Sequence, residues 1–362
     1  MKQSSIVKLY VLPLLILFIG CSSNKNTFTK SSEGDEFLIN TIAFYNLENL
    51  FDTDNDPIKF DESSPIMEIA EDERNYYYQK KINNIAKAIA DIGAEATGRP
   101  PAVIGVCEIE NFKVLQDVVN EKSLSEYNYG IIHYNSPDAR GIDVALLYQR
   151  RIFQPTHSQA HELVLFKDND NSKRKYTRDQ LHVKGKLDGE DMHFIVNHWP
   201  SRSGGEEKSK ANRVKAAKLT KKITDSIQMQ EPYAKIMVMG DFNDGPYNKS
   251  IKEVLKAKES LGNLGLKDLY NPFEKLHKKG LGTIAWRDTW NIFDMILVTK
   301  PLANKEDYST YRLYQASIFN PFYLQNPKGR YKGYPYRAFS DGGFTGGYSD
   351  HFPVYLYLIK KK

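Results

Sequence analysis

The stretch that most limits what this chain can become is Lys235-Ile236-Met237-Val238-Met239-Gly240-Asp241-Phe242-Asn243-Asp244. Ile236 to Met239 is a short apolar run, bounded by Pro232 before it and by Gly240 and Gly245 after it. Such a run reads as a buried strand that stops abruptly in a polar turn. On an extended chain Asp241 and Asn243 share one side, one supplying charge and the other a neutral amide. That pair can hold a water or a metal against a phosphate oxygen. Taken alone, an Asx-rich turn ending a strand is the simpler reading. Similar turns recur, however, at Asn46-Leu47-Glu48-Asn49, Cys107-Glu108-Ile109-Glu110, Asn197-His198-Trp199 and Ser349-Asp350-His351. Most of them adjoin an apolar run, so they are expected to converge on one rim of a sheet.

The remaining composition is that of a soluble globular enzyme, 41% hydrophobic and 26% charged over 362 residues, a length suited to one large sandwich. Residues 1–20 read as a leader rather than fold. Lys2 and Lys8 form a basic start, and Leu9 to Ile19 is an apolar core too short to span a bilayer with its flanks. Phe18-Ile19-Gly20-Cys21 is similar to a lipobox, with Phe18 where Leu is usual. The expectation is a bacterial lipoprotein, exported to the cell envelope (periplasm or outer membrane) and lipid-anchored at Cys21. A polar tether over 21–36 then precedes one domain over 37–362. Lipidation of Cys21 leaves only Cys107, and so no intramolecular disulfide. Cys107 sits in an apolar strand and is read as core. Without Lys2 and Lys8 the formal charge falls from +5 to +3, too weak a bias to argue nucleic acid by itself.

Strands are expected at Phe37 to Phe44, Ala102 to Cys107, Tyr129 to Tyr134, Ile142 to Tyr148, Leu181 to Leu187, Met192 to Val196, Phe293 to Val298 and Val354 to Ile359. Helices are expected at Tyr77 to Ala94, Phe112 to Asn120 and Glu206 to Ile227, with a fragment at Ile251 to Leu255. The acidic run over 52–73 reads as solvated surface or a weak cation site. Residues 300–347 show little periodicity and read as a long ordered loop region. Hairpin pairs mixed with helices argue for two packed sheets covered by helices, rather than one doubly wound sheet.

In this order, Asn46, Glu108, Arg140-Gly141-Ile142-Asp143-Val144-Ala145, Thr177-Arg178-Asp179, Asn197-His198, Gly240-Asp241-Phe242-Asn243, Phe293-Asp294 and Ser349-Asp350-His351 resemble the motifs of the endonuclease/exonuclease/phosphatase superfamily. They span nearly all of the chain after the leader. The resemblance implies an α/β fold (α+β type), a four-layer α/β-β/α sandwich of two mixed sheets like that of deoxyribonuclease I. It also implies divalent-metal-dependent cleavage of phosphodiester or phosphomonoester bonds.

Such hydrolysis needs an activated water, charge neutralisation on the phosphoryl oxygens and help for the leaving oxygen. Glu108 and Asp350 are hard-oxygen ligands suited to Mg²⁺, with Mn²⁺ or Ca²⁺ as alternatives, and Asn46 would support the metal or a phosphate oxygen. The resemblance implies that Asp241 orients or deprotonates the attacking water and that Asn243 holds the phosphate. It implies that His351 contacts the phosphoryl group with Asp294 setting its ring, and that His198 polarises phosphate or assists the leaving group. Asp143 is a candidate to orient His198. Asn197 and Arg178 are expected to bind substrate, Arg178 as a fork for phosphate, with Arg140 as a second candidate. His133, His157, His161, His182, His193 and His277 match no motif and read as structural or surface residues. There is no HExxH, paired CxxC or P-loop, so zinc-protease and nucleotide-triphosphatase readings have no support.

Two features lean towards nucleic acid. Asn197-His198-Trp199-Pro200-Ser201-Arg202-Ser203-Gly204-Gly205 resembles a segment of predicted secreted bacterial nucleases, and it leads into a helix carrying Lys208, Lys210, Arg213, Lys215 and Lys218. The aromatic, basic segment Arg330 to Phe339 could stack bases or sugar rings, or pack its own loop. The expectation is a monomeric exported nuclease. The alternative is a phosphatase or phosphodiesterase of a phospholipid head group, inositol phosphate or other small ester. A non-catalytic binding protein is the weakest reading, because the whole set of motif residues is intact.

Overall fold

Phe37–Leu50 is the strand from which the architecture can be read, because its two faces pack into two different cores. Ile42 and Phe44 point into one buried cluster, Ala43 and Tyr45 into another, as period-two alternation requires. The computed structural model describes residues 36–167, 170–340 and 343–362. The leader, Cys21 and all but the last residue of the tether lie outside the described residues. Among the described residues, no helix is long and apolar enough to cross a membrane.

Two large mixed sheets lie face to face. The 6-stranded sheet runs, edge to edge, through Arg312–Ile318, Val354–Lys361, Phe37–Leu50, Val103–Ile109, Asp143–Gln149 and Tyr129–His133. The 7-stranded sheet runs through Ala257–Lys258, Leu269–Tyr270, Asp294–Thr299, Ile236–Asp241, Glu190–His198, Gln180–Leu187 and Phe153–His161. Between them Val103, Cys107 and Leu146 of the first sheet meet Phe194, Val196, Met237 and Met239 of the second. Gly105 permits this approach: a Cβ there would stand 2.6 Å from Met239 Sδ. Helices Glu71–Asp91 and Phe112–Asn120 cover the outer face of the first sheet through Ile82, Ile85, Ile89, Val114 and Val118. Helix Glu206–Gln230 covers the second through Ala216, Ala217, Ile223 and Ile227. The result is the four-layer sandwich expected from the sequence.

Strand direction explains why the polar turns meet. Phe37–Leu50 and Val103–Ile109 are parallel, as are Glu190–His198 and Ile236–Asp241, so Asn46, Glu108, His198 and Asp241 all lie at carboxyl ends. Asp294–Thr299 and Val354–Lys361 run antiparallel to their neighbours, so Asp294 and His351 reach the same rim from strand beginnings.

Among the strands not expected from the sequence, two are long. Arg312–Ile318 pairs with Val354–Lys361 inside the region read as loop, with a register shift between Leu313 and Gln315 that breaks its periodicity. Phe153–His161 is an edge strand whose Pro155 and polar residues hide its pattern. That strand brings His157 and His161 beside His182 and His193. The last two rings stack at 5.3 Å, with His182 Nε2 and His193 Nδ1 3.1 Å apart, and His193 Nε2 lies 3.2 Å from Glu231. Burial, aided by the neighbouring imidazoles and Lys184, pushes His182 down to about 3. An unfolded His titrates near 6.5, so between these values the unfolded chain binds the extra proton and stability rises with pH. This contribution is complete above about pH 6.5 and is lost as pH falls, by up to about 1.4 kcal/mol per pH unit for one proton. Thermal melting is expected to fall between pH 6.5 and 5 and to fall less in His182→Gln; parallel profiles for the two proteins would refute this role.

Candidate active site

The turns that build the rim are held in conformations that side chains seldom adopt. Of nine non-glycine residues with positive φ among the described residues, four are here: Glu48 (48°), Asn49 (47°), Glu108 (59°) and Asn243 (50°). Left-handed backbone at such residues costs of order 1–3 kcal/mol each and persists where surrounding structure enforces it. At Glu108 the enforcing feature is a bulge. The pairing with Asp143–Gln149 shifts between Cys107 and Ile109, and the pairing with Phe37–Leu50 shifts between Asn46 and Leu50. The bulge turns Glu108 towards Asn46 instead of leaving it to alternate with Cys107. Gly240 serves the next turn, since a Cβ there would lie 2.4 Å from the Asn197 carbonyl oxygen.

Asn46 joins the two sheets. Its Nδ2 donates to Glu108 Oε1 (3.3 Å) and to Asp241 Oδ2 (3.2 Å), while its Oδ1 accepts from Glu48 N (2.9 Å). The Glu48 N–H must find an acceptor, which fixes the amide with its nitrogen towards the carboxylates. Asn46 therefore orients Glu108 and Asp241, and its oxygen is engaged away from them. Glu108 Oε2 also accepts from Asn49 N at 3.0 Å. Asp241 is 2% exposed and its Oδ1 accepts from Asn243 N at 2.9 Å. Burial pushes Asp241 up to about 7, with His351 opposing and Asp294 and Glu108 adding to the rise.

Two buried histidines flank Asp241 and take opposite states. His198 Nε2 lies 3.7 Å from both Glu108 Oε1 and Asp241 Oδ2. Burial, then the charges of Arg178 and Arg140, hold it well below the usual imidazole range, so it is neutral. His351 Nδ1 is 2.7 Å from Asp294 Oδ2, and its Nε2 is 3.9 Å from Asp241 Oδ2. Burial alone would lower His351, but Asp294 and Asp241 together outweigh it and hold an imidazolium. Ser349 fixes this last turn, donating to the Asn46 carbonyl (2.7 Å) and accepting from His351 N (3.1 Å).

Other residues singled out from the sequence stand elsewhere. Asp143 does not orient His198; it lies 3.0 Å from His133 Nε2 and accepts from Ser136 N at 2.9 Å. Asn197 is fully buried, with Nδ2 on the Ile195 and Met239 carbonyls and Oδ1 accepting from Trp199 Nε1 and Thr220 Oγ1. All its bonding capacity faces the fold, so it offers nothing to a substrate. Arg178 is buried on Asp138 (3.4 Å) and the Trp199 carbonyl (2.8 Å), and acts on the site through its charge on His198. Arg140 is exposed, and its charge too reaches His198. Asn243 donates from Nδ2 to the Trp199 carbonyl at 3.1 Å. Asp350 is partly exposed and lies 3.4 Å from Arg337 Nη2, outside the Asp241–Asp294–His351 group.

Glu48, Lys81 and Arg337 of this rim carry no individual role in the sequence reading. Glu48 is 2% exposed, with Arg337 Nε 3.1 Å from its Oε1 and Ala338 N on its Oε2. Burial first, then the Asp350 charge, raises Glu48 to about 7. Lys81 lies on the buried stripe of its helix beside Ile82 and Ile85, and donates to the Glu48 carbonyl. Burial lowers it to about 8. A lysine on an apolar stripe is a signal that could have been seen; Arg337 carried none.

The residues present suit a divalent cation. An oxygen each from Asp241 and Asp294 lie within 4.8 Å of one another beside the charged His351, and Asp294 Oδ1 is buried with no hydrogen-bond donor. Glu108 adds a third hard-oxygen donor beside them.

Among solved structures, an endonuclease/exonuclease/phosphatase family protein from Bacteroides thetaiotaomicron superposes with TM-score 0.53 at 16% identity, over 90% of this chain and 97% of that one. A mannosyl-6-phosphatase of the same organism gives 0.52 at 17% identity, over 88% and 98%. D. rerio TDP2 in complex with single-strand DNA product gives 0.50 at 13% identity, over 88% and 98%. No curated protein sequence matches the chain. At these identities the superpositions establish the fold alone. The family model for the Endonuclease/Exonuclease/phosphatase family matches residues 41–360, and the chain belongs to that family of metal-dependent phosphoester hydrolases.

Proposed function

We propose that this protein is a nuclease, an Mg²⁺- or Mn²⁺-dependent phosphodiesterase that hydrolyses nucleic acid at the bacterial cell envelope. The observation that carries the reading is the buried Asp241 carboxylate between a neutral His198 and a charged His351. Glu108 would hold the cation beside Asp241, and when bound it would neutralise charge on the phosphate oxygens. Asp241, raised towards neutrality, is suited to accept the proton of an attacking water. The His351 imidazolium, kept charged by Asp294, stabilises negative charge developing on the phosphoryl group. Neutral His198, with Asn243 at the mouth of the turn, positions the phosphate without adding charge. Arg140 is exposed with its charge reaching His198, and can meet a phosphate from outside. Export and lipidation of Cys21 are supported by Lys2, Lys8, the apolar run Leu9 to Ile19 and the lipobox-like Phe18 to Cys21.

The full-length chain with Mg²⁺ is expected to degrade DNA or RNA, tested as both single strands and plasmid, and to stop in EDTA. Release of phosphate from mannose 6-phosphate or another monoester, with nucleic acids intact, would replace the nuclease reading by the phosphatase one. Activity unchanged in EDTA would overturn both.

A further inference from the structure

Trp286, 71% exposed, sits beside the turn of a two-stranded hairpin, Ile284–Trp286 with Thr289–Asn291. The two turn residues, Arg287 and Asp288, both have positive φ (48° and 65°), the geometry of a type I′ turn without its usual glycine. The strain is retained because Asp288 is clamped: Arg330 reaches its two oxygens at 3.0 and 2.7 Å, and its N–H donates to the Tyr334 hydroxyl at 2.7 Å. The hairpin is thereby tied to the segment 330–339.

Both pieces are rooted in the catalytic rim. Thr283, at the foot of the hairpin, accepts at its carbonyl from Phe352 N (2.8 Å) and at its hydroxyl from Phe293 N (3.2 Å), the neighbours of His351 and Asp294. The other segment is fastened by Arg337 and Ala338 to Glu48. Between these roots and the surface runs a series of rings. Phe352 and Trp290 are parallel at 6.1 Å, Trp290 and Tyr334 are 5.6 Å apart, and Tyr334 and Tyr331 5.5 Å. Tyr331 ends the series 58% exposed. Arg287 lies over the Trp286 ring at 5.6 Å, and Lys328 and Lys332 are exposed on the neighbouring segment.

We infer that this rim is a stacking wall for the bases of a single-stranded nucleic acid whose phosphate enters the site, an inference that rests on the nuclease reading above. Exposed rings present faces that any base can stack on, and the flanking cations complement a phosphate backbone. A duplex keeps its bases stacked inside and offers those faces only at its ends, so the wall selects unpaired strands. A sugar monophosphate has no base to place there.

The test uses the full-length chain carrying Asp241→Asn, in EDTA, titrated into fluorescein-labelled oligothymidylate, oligouridylate and an abasic strand of equal length. Trp286→Ala and Tyr331→Ala, on separate segments, are each expected to weaken binding to the two base-bearing strands by roughly 5- to 100-fold. Binding to the abasic strand is expected to be weaker from the start and unmoved by either substitution. Unchanged affinity for the base-bearing strands, or an equal loss on the abasic strand, overturns the stacking wall. Thermal melting of each variant checks that it is folded. Hydrolysis of bis(p-nitrophenyl) phosphate by the unsubstituted chain separates the two readings: activity without base-dependent binding sinks only the wall, and inactivity sinks the phosphodiesterase.

Discussion

Asp241→Asn is expected to reduce turnover about 10³-fold while leaving the fold intact. The amide keeps the shape of the carboxylate, and its oxygen still accepts from Asn243 N, as Oδ1 does now at 2.9 Å. What disappears is the proton acceptor, together with the hydrogen bond that Oδ2 accepts from Asn46 Nδ2 at 3.2 Å. Melting temperature is expected to change little, because relief of a carboxylate buried near Asp294 and Glu108 is offset by loss of the Asn46 hydrogen bond and of the His351 attraction. Turnover measured under saturating Mg²⁺, together with a melting curve, decides the matter. A loss below tenfold would remove Asp241 from the chemistry, and a collapsed melting curve would make its role structural.

The His351–Asp294 pair should behave as one unit. His351→Ala removes the imidazolium, and Asp294→Asn removes the carboxylate that is 2.7 Å away and maintains its charge. Each change is expected to cost about 10²- to 10³-fold in turnover, and the double variant little more than the worse single one. Additive losses in a double-mutant cycle would show that Asp294 acts elsewhere, for instance through its orphaned Oδ1 on the cation.

Asp241, Glu108 and His351 could be picked out in the sequence for a physical reason. Each follows or precedes a run too apolar to be anything but buried, so a charged residue at its end has to be accounted for. The sandwich followed from the same runs together with their hairpin spacing. Glu48 was passed over because its burial depends on Lys81 and Arg337, which are distant in sequence and meet it only in the folded chain. Asn197 shows the converse. It adjoins His198 in a motif, yet pleating sends its side chain to the helix side, where Thr220 donates to it. Asp143 likewise has a nearer partner in His133, across a strand pair that motif matching does not see. The edge strand Phe153–His161 escaped because a strand paired on one side and facing water needs no apolar alternation.

The site draws half its groups from each layer of the sandwich. Asn46 and Glu108 belong to one sheet, with His351 in the turn that leads into its strand Val354–Lys361, and His198, Asp241 and Asp294 belong to the other. The contacts that matter, Asn46 to Asp241 and His351 to Asp294, therefore cross the seam. The gap between the sheets works as a caliper set just beneath the rim, where Gly105 lets Met239 close in. Thickening or thinning that interior would alter catalytic distances without touching a catalytic residue, so packing inside this protein is under the same constraint as its chemistry.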